Sequence, residues 1–234
     1  MQKSTPRFYN QETPTLIAVD CVIFGYQEGK LNILLIKRNF EPGQGQWSLM
    51  GGFLQSNETL DFAAKRILHQ LTGLDNVYLE QLHTYSEVAR DQAARVVSVS
   101  YYALIDIKTS NEQLTQTQQA AWFPINNIPK LIFDHREMCD KALKRLQRKS
   151  LSQPIGFELL PTKFTIPQLQ QLYEAIHNET LDKRNFRKNI LLSELITKLE
   201  EKNMEGSKKG AFLYVFNPKK YAELTESGTN IQFK

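Results

Sequence analysis

The stretch that most constrains the fold runs from Gly51 to Leu74 and reads GGFLQSNETLDFAAKRILHQLTGL. Its paired glycines allow a close backbone turn, because a residue without a Cβ atom can adopt conformations that other residues avoid. Glu58 precedes an amphipathic run, where a carboxylate suits the positive end of a helix dipole, and Gly73 can end that helix in a left-handed conformation. The stretch therefore predicts a tight loop, a helix and a helix stop, in that order.

The spacing within this stretch resembles the Nudix box, whose family pattern is G-x5-E-x7-R-E-U-x-E-E-x-G-U with U an aliphatic residue. The residues that match the pattern in register are Gly52, Glu58, Arg66, Leu68, Gly73 and Leu74. The alternative explanation is an ordinary amphipathic core helix. Such a helix gives no reason for the glycines, Glu58 and Arg66 all to match the pattern in one register. We therefore predict a Nudix-type fold.

The three remaining glutamates of the pattern are replaced in this chain. Ile67, Gln70 and Leu71 occupy their positions, and none of these residues can carry a negative charge. In the Nudix family the glutamates hold magnesium, and hard divalent cations prefer carboxylates and other oxygen ligands. We therefore predict that the chain is not an enzyme, with no catalytic residues, no metal site and no cofactor. The alternative is a surviving hydrolase whose metal site is rebuilt from other carboxylates, Glu58 with Asp61, Glu80 or Glu87.

Composition restricts the class of protein. The chain has 234 residues, of which 41% are hydrophobic, which is enough for a packed core in one large or two modest domains. Its most apolar run, residues 31–36, is too short to cross a bilayer, and the N-terminus contains no apolar signal core. Cys21 and Cys139 lie far apart, which predicts reduced thiols. We expect a cytoplasmic protein with no membrane partner, and the net charge of +4 does not by itself establish a nucleic-acid partner.

Two apolar runs, residues 16–26 and 31–39, are joined by a short turn and predict a hairpin of buried strands. Asp20 interrupts the first strand, and Lys37 and Arg38 end the second. Polar groups at such positions must be paired or must face a cleft, because an unpaired buried charge is unfavourable. We predict that these three side chains face a ligand cleft.

Trp47 lies in a glycine-rich loop just before the box. It is either a flat surface on which a sugar or base can stack, or a core aromatic residue. The segment W-S-L-M-G-G-F is similar to a W-x-L-P-G-G-F run of the Nudix family, and this similarity implies that Trp47, Gly51 and Gly52 lie at the ligand cleft. Met50 replaces the usual proline at the edge of that cleft.

Residues 77–86 and 96–106 predict two further strands beyond the box. In the second of them, Ser98 and Ser100 lie on one face. Their small hydroxyl groups suit the floor of a polar ligand site, although a solvated strand face would have the same pattern. The predicted ligand-binding residues are Asp20, Lys37, Arg38, Trp47, Gly51, Gly52, Ser98 and Ser100.

Residues 134–150 carry apolar side chains at helical spacing, including Met138 and Ala142, and predict a helix. Two prolines in the following segment, SQPIGFELLP, break this periodicity. We therefore place a domain boundary there. A Nudix-like ligand-sensing domain is predicted at residues 1–150, and a second domain is predicted at residues 151–234.

Residues 164–203 predict two helices joined by a turn at residues 178–181. Thr165 is a good N-cap for the first helix. The second helix begins near Asp182, and the basic residues of its first turns oppose the helix dipole, which favours an anionic partner such as a phosphate backbone. Arginine and Asn185 at the start of such a helix can also read base edges in the major groove.

Two lysines and Gly210 precede the apolar strand AFLYVF, which looks like the β-wing of a winged helix-turn-helix. The alternative is a solvated basic helix beside an ordinary hairpin, but helix, turn, basic helix and wing together favour DNA binding. The predicted DNA-binding residues are Thr165, Lys183, Arg184, Asn185, Arg187, Lys188, Lys208 and Lys209.

The whole chain resembles the Nudix-related transcriptional regulators of bacteria, of the NrtR and AraR type. The segments RVVSVSYYAL at residues 95–104 and LDKRNFRK at residues 181–188 carry this resemblance beyond the box. It implies an α+β fold, with a Nudix-like α/β/α sandwich followed by a winged helix-turn-helix domain. It also implies a homodimer on double-stranded operator DNA, which is released when a small effector binds.

The altered box also guides the choice of effector. NrtR proteins respond to ADP-ribose and its relatives, and AraR proteins respond to L-arabinose. Without the acidic residues the chain cannot hold a pyrophosphate through magnesium, so we predict the AraR type, with L-arabinose as effector and a sugar-utilisation operon as target. The alternative is an ADP-ribose-responsive regulator of NAD metabolism, because Lys37, Arg38 and Arg66 can neutralise phosphates. An RNA-binding adaptor is a weaker alternative, since no exposed aromatic stacking motif is present.

Overall fold

A computed structural model gives the structure of the chain and describes residues 12–74, 77–107, 120–151, 153, 155–204 and 209–227. Within these ranges, none of the helices combines the length and the apolar character needed to cross a membrane. The strands form a seven-stranded sheet in the first part of the chain and a two-stranded sheet in the second.

The larger sheet is built around its central strand, β1 (Leu16–Gln27), which pairs in parallel with β6 (Val96–Asp106) and antiparallel with β2 (Lys30–Lys37). Residues 19–24 of β1 are all buried, because both faces of the sheet are covered. The predicted hairpin and the two later strands are thereby confirmed. The other strands of this sheet are β3 (Trp47–Ser48), β4 (Met50–Phe53), β5 (Tyr78–Tyr85) and β7 (Ala120–Pro124).

One face of the sheet is covered by α1 (Leu60–Thr72), the helix predicted from the box. Thr59 rather than Glu58 caps its first turn, since the Thr59 hydroxyl accepts the backbone N–H of Phe62 at 3.2 Å. Gly73 ends the helix with a φ of 68°, a left-handed conformation that favours glycine. The helix packs on the sheet through a buried apolar side formed by Ala63, Ala64, Ile67 and Leu68.

The opposite face is covered by α2 (His135–Ser150), which confirms the helix predicted at residues 134–150. Its buried stripe consists of Met138, Cys139, Ala142 and Leu146. Helices on both faces of one sheet form the predicted α/β/α sandwich.

The second part of the chain is a winged helix-turn-helix. Its first helix, α3 (Ile166–His177), carries a full capping box at its start, and its second helix, α4 (Lys183–Leu192), follows after a short turn. The wing is an antiparallel pair of strands, β8 (Ile196–Asn203) and β9 (Ala211–Phe216). A last helix, α5 (Pro218–Glu226), follows the wing.

The prediction that the second helix continues to residue 203 is wrong. The helix ends at Leu192, and residues 196–203 form the first strand of the wing. Glu194 adopts a left-handed conformation with a φ of 57°, which interrupts the helical path. The β-branched residues Ile196 and Thr197 then favour a strand, which finds its partner in β9.

The two domains share one hydrophobic core. A single cluster of buried residues includes Phe24 of β1, Leu146 of α2 and Tyr173 of α3. The segment between the domains belongs to the same cluster, since Ile155 and Phe157 are only 4% and 9% exposed. The core is therefore continuous across the predicted boundary after residue 150. A rearrangement in the first domain can be transmitted to the second through these contacts.

Candidate functional site

A cleft of about 140 Å³ opens at the edge of the sheet where β1, β2 and β4 meet the start of α2. Of the predicted ligand-binding residues, Asp20, Arg38, Gly51 and Gly52 line it. The sequence did not predict the other polar and aromatic residues that line this cleft, which include Phe40, Arg90, Phe133 and His135.

Asp20 is a buried carboxylate at the floor of this cleft, with 7% of its surface exposed. The Ser98 hydroxyl donates a hydrogen bond of 2.5 Å to it, and the Arg90 guanidinium and the His135 ring lie 3.9 and 3.7 Å away. A Cβ atom on Gly51 would lie 2.2 Å from the Asp20 carboxylate, so a larger residue here would displace that carboxylate. Asp20 is therefore held by a hydroxyl group, with a guanidinium cation and an imidazole ring close by, rather than left unpaired.

His135 is the first residue of α2 and is 3% exposed. Its Nδ1 accepts the backbone N–H of Leu49 at 3.1 Å, which leaves Nε2 to carry the proton on the side of Asp20. Burial lowers the pKa of His135 below its usual value, and the nearby Asp20 opposes that shift. The buried ring therefore favours its neutral form, and it links the residue between β3 and β4 to β1 and the start of α2.

Arg90 lies in the connection between β5 and β6, and its side chain is 3% exposed. It forms two hydrogen bonds to Asp134, from Nε to Oδ2 at 2.9 Å and from Nη2 to Oδ1 at 2.7 Å. Burial opposes the charge of Arg90, but the hydrogen bonds and the negative charge of Asp134 outweigh it and raise the pKa of Arg90. Sequence reasoning missed Arg90 because its segment, EVARDQAAR, has the polarity of an ordinary connecting loop.

A second and larger cavity, of about 920 Å³, adjoins the cleft. Arg90 and Phe133 line both cavities, so the two meet at these side chains. No pattern in the sequence indicated it, because its walls come from separate segments of the chain. The polar side chains around it include Gln46, His83, Ser86, Glu87, Gln92, Lys130, Glu137 and Lys141.

The other predicted ligand-binding residues are not brought into the cleft. Lys37 lies at the exposed end of β2, and Trp47 is half-buried with its ring edge-on to Phe123 at 4.8 Å, the arrangement of a core aromatic residue. Ser98 lies beneath the cleft and holds Asp20, whereas the Ser100 hydroxyl donates to the His83 carbonyl at 3.0 Å. The two serines therefore support the sheet rather than form an open floor.

The altered box is held together by its own charges. Arg66 donates to Glu58 from Nε at 2.9 Å and from Nη2 at 2.6 Å, and it also donates to the Phe53 carbonyl at 3.2 Å. The hydrogen bond from Arg66 lowers the pKa of Glu58. Ile67 is 2% exposed and packs under Gly52, and the Gln70 amide oxygen accepts from Arg66 at 3.4 Å. These residues do not fit a magnesium site, because Glu58, the one carboxylate of the box pattern that is present, is already paired with Arg66.

The carboxylates of the hydrolase alternative are dispersed. Asp61 accepts a hydrogen bond from the Tyr101 hydroxyl at 2.6 Å. Glu80 forms ion pairs with Arg145, at 3.0 Å, and with Lys149 of α2. Across the residues that the structure describes, no three His, Cys, Asp or Glu side chains come together as a metal-binding group.

The DNA-binding helix predicted near Asp182 is α4. Phe186 and Ile190 of this helix are buried, which leaves its polar face in solvent. The Asp182 side chain caps the helix by accepting the Asn185 N–H at 2.8 Å, so a carboxylate offsets part of the unfavourable charge at this end. The exposed residues on the outer face are Lys183, Arg184, Asn185, Arg187 and Lys188.

Three further predicted DNA-binding residues differ in their surroundings. Thr165 is 5% exposed, and its hydroxyl caps α3 by accepting the Gln168 N–H at 3.3 Å. Lys209 is exposed in the turn of the wing, and Lys208 lies outside the described residues.

The wing adds two lysines that sequence reasoning missed because it assigned their segment to a helix. Lys198 and Lys202 are exposed on β8, and their ammonium groups lie 3.7 and 4.6 Å from the centre of the Phe212 ring. A cation over an aromatic face is attracted by the electron-rich ring. Phe212 therefore holds both lysines at the surface of the wing.

Two protein families match the chain, and they match different parts of it. The NUDIX domain family matches residues 14–142, and the NrtR DNA-binding winged helix domain family matches residues 156–216. Among the relatives is the ADPR responsive transcriptional repressor NtrR of Acinetobacter baylyi. The chain is 34% identical to it over 205 residues, which cover 86% of this chain and 82% of that protein.

Solved structures agree with this match. Shewanella oneidensis NrtR complexed with a 27mer DNA is 29% identical, with a TM-score of 0.80 over 88% of this chain and 95% of that one. The NUDIX domain of Shewanella oneidensis NrtR complexed with ADP ribose is 28% identical. Its TM-score is 0.50, and the match covers 61% of this chain and 99% of that domain.

The fold, the altered box and the basic winged helix together define a DNA-binding transcriptional regulator with a Nudix sensing domain. The chain belongs to the NrtR family of such regulators. The predicted fold class and the predicted resemblance to Nudix-related regulators are thereby confirmed.

The choice of the AraR type, with L-arabinose as effector and a sugar-utilisation operon as target, is not supported and is corrected. Acinetobacter baylyi NtrR is described as ADPR responsive, and the NUDIX domain of Shewanella oneidensis NrtR was solved in complex with ADP ribose. The prediction took the loss of the metal site as a loss of phosphate binding. It did not foresee that Arg90 would lie in the cleft beside Arg38.

Proposed function

We propose that this chain represses transcription in response to ADP-ribose and regulates genes of NAD metabolism. A homodimer binds operator DNA through α4 and the wing, and ADP-ribose in the Nudix domain weakens that binding. The observation that carries the proposal is the presence of two guanidinium groups, Arg38 and Arg90, in a cleft whose altered box does not fit a divalent cation. Guanidinium groups bind phosphate oxygens in pairs and need no metal ion to do so.

The two adjoining cavities favour a ligand larger than a pentose. The cleft of about 140 Å³ has room for one sugar-sized group, and the cavity of about 920 Å³ has room for a nucleotide. Because Arg90 lines both cavities, a diphosphate that joins the two groups would lie beside its charge. A free pentose would leave the larger cavity unfilled and would bring no phosphate to Arg38 or Arg90.

The surroundings of the carboxylates support binding without hydrolysis. Glu58 is occupied by Arg66, Asp61 by Tyr101, and Glu80 by its basic partners on α2. Glu87 lines the larger cavity, where a single carboxylate is a poor cation cage. A ligand that is not hydrolysed stays bound and can act as a signal.

Calorimetric titration with ADP-ribose, AMP and L-arabinose tests the effector. We expect ADP-ribose to bind with the same affinity in EDTA and in magnesium, and to be recovered intact afterwards. Arg38→Ala should weaken it by about 10- to 100-fold, as expected for lost hydrogen bonds to a charged group. Lys37→Ala is the matched control, because this neighbouring cation does not line the cleft, and its affinity should stay within about twofold of the native value. Binding of L-arabinose without binding of ADP-ribose would contradict the proposal.

Capture of sheared genomic DNA from the source organism tests the DNA-binding half. We expect enrichment of a small number of upstream regions, and light scattering should give the mass of two chains for the free protein. Uniform recovery of the whole genome would contradict operator recognition, and the mass of one chain would contradict the homodimer.

A further inference from the structure

Asp134 has two possible hydrogen-bonding partners and uses only one of them. It stands at the N-cap position of α2, where an aspartate side chain ordinarily accepts a backbone N–H of the first turn. Its side chain makes no such bond. Both of its carboxylate oxygens accept hydrogen bonds from Arg90 instead. The Asp134 backbone, with a φ of −93° and a ψ of 14°, is also outside the extended conformation of a capping residue, so a side-chain cap requires both release from Arg90 and a change at this residue.

Arg90 can also exchange one anion for another. It lines both cavities, and besides its two bonds to Asp134 it lies 3.9 Å from Asp20. A diphosphate presents more acceptor oxygens and more negative charge to a guanidinium group than a carboxylate does. A diphosphate beside Arg90 would therefore compete directly with Asp134.

The residue that connects the cavities to α2 is conformationally strained. Phe133 has a φ of 48°, in the left-handed region that a phenylalanine rarely adopts. Its ring lines both cavities and contacts the His135 ring and the Arg38 guanidinium, with centres 5.6 and 5.7 Å away. Such a conformation persists only where its surroundings impose it. Breaking the pair between Arg90 and Asp134 would remove one of the contacts that hold the start of α2, while His135 keeps its bond to the Leu49 N–H.

The far end of α2 holds the DNA-binding domain. The Gln147 side chain donates to the Ile176 carbonyl of α3 at 2.9 Å, and the Ser150 hydroxyl bonds to the His177 ring at 2.9 Å. The helix has 16 residues, so these contacts lie about 20 Å from its cavity end at the usual rise per residue. Between these two ends the buried stripe of α2, Met138, Cys139, Ala142 and Leu146, packs in the shared core, so one continuous helix connects the cavities to α3.

We propose that the pair between Arg90 and Asp134 is a latch that couples the effector cavities to the DNA-binding domain, an inference that rests on the proposed function. The diphosphate of ADP-ribose takes Arg90, and the released Asp134 carboxylate caps the first turn of α2. Arg90 and Asp134 each have a partner both with and without bound ADP-ribose, so neither the free nor the bound state is strongly disfavoured. The shift of α2 is carried by Gln147 and Ser150 to α3 and from there to α4.

Asp134→Asn tests the latch, because asparagine caps a helix as well as aspartate but cannot form the charged pair with Arg90. Without effector, the variant should resemble the effector-bound state. We expect its affinity for a captured operator duplex to fall and its affinity for ADP-ribose to rise, each by about tenfold, within the usual range of allosteric coupling. Asp134→Ala, which removes both the pair and the cap, should bind ADP-ribose more tightly than the native chain but less tightly than Asp134→Asn.

Gln147→Ala tests the other end of the helix. Since Gln147 lies away from both cavities, the variant should bind ADP-ribose with an affinity within about twofold of that of the native chain. The ADP-ribose concentration that releases half of its bound DNA should be at least about fivefold higher. Thermal unfolding shows whether each variant is folded. Hydrogen exchange of the α3 amides compares native chain and Asp134→Asn without any ligand, and the expected result is faster exchange in the variant.

Two failures can be told apart. If the native chain binds no ADP-ribose, the proposed function is wrong, whatever the variants do. If the native chain binds ADP-ribose and releases DNA, but Asp134→Asn matches it within twofold in both affinities and in α3 exchange, the latch is wrong and the proposed function stands.

Discussion

The box helix α1 and the DNA-binding helix α4 both carry conspicuous charges, but the charges have different partners. At the box, Glu58 and Arg66 are joined by two hydrogen bonds and a further bond ties Arg66 to the backbone. On α4, none of the four basic side chains from Lys183 to Lys188 forms an ion pair with another described residue. One set of charges is satisfied within the fold, and the other is open to a partner.

This difference distinguishes residues that stabilise the fold from residues that are available to bind DNA. A box that has lost its metal-binding glutamates keeps the glycines, the salt bridge and the helix that give the cleft its form. An unpaired basic face costs some stability in the isolated chain, because like charges repel along a helix. That cost is offset when the face meets phosphate groups. Substitutions in the box should therefore change stability, and substitutions on α4 should change DNA binding.

The largest effect is expected on α4. The double variant Arg184→Ala and Asn185→Ala should lose about 2–6 kcal/mol of specific binding free energy, from about 1–3 kcal/mol for each base contact. Its affinity for ADP-ribose should not change, since neither residue lines the cleft. Gel-shift titration on a captured duplex measures the loss, and native-like DNA binding by the double variant would show that the recognition surface is elsewhere.

Gly51→Ala should give the next largest effect, through folding stability. The new Cβ atom would lie 2.2 Å from the Asp20 carboxylate and 3.0 Å from the Val19 carbonyl, so we expect a loss of about 1–3 kcal/mol, the usual range for overpacking. Gly52→Ala is the matched control, because its closest contact is a side-chain carbon of Ile67 at 3.3 Å. Urea unfolding compares the two, and equal stabilities would show that Asp20 is not fixed in place.

A smaller effect is expected from pH. Burial lowers the pKa of His135 in the folded chain, so the unfolded chain takes up a proton at higher pH than the folded one. The stability that the neutral ring contributes is fully present above the unfolded histidine pKa of about 6.5 and is lost below it, by at most about 1.4 kcal/mol per pH unit. Urea unfolding of His135→Asn, which keeps an acceptor for the Leu49 N–H, should show a shallower loss between about pH 7.5 and pH 5. Parallel pH profiles would contradict this assignment.

The smallest effect is expected for Glu58→Gln. The pKa of Glu58 is lowered by Arg66, so its contribution to stability is present above the unfolded glutamate pKa of about 4.3 and is lost as the pH falls through the folded value. The melting temperature of the variant should lie slightly below that of the native chain at neutral pH and converge with it in acid. ADP-ribose affinity should be unaffected. A magnesium-dependent hydrolysis that this substitution abolishes would overturn the view of the box as a scaffold.

The sequence predicted best where local chemistry decides the structure. Three features of this kind act within a few residues of the chain. Gly73 ends a helix, the basic run before Phe186 lies on a surface helix, and the alternation around Ser98 lies in a strand. The prediction failed at Ile196, because the choice between helix and strand depended on pairing with β9.

The site was harder to predict for the same reason. Arg90, Asp134 and His135 come together only because the connection between β5 and β6 folds onto the start of α2. No spacing along the chain records that contact. Trp47 and Ser100, which have the residue types expected of a ligand site, are used for packing and for a sheet hydrogen bond.

The most direct test of the central claim is fluorescence anisotropy of a labelled operator duplex bound to the native chain and titrated with ADP-ribose in EDTA. We expect the DNA to be released and the ADP-ribose to be recovered unhydrolysed, with no response to L-arabinose. Retention of the DNA at saturating ADP-ribose would contradict ADP-ribose-controlled repression by this chain.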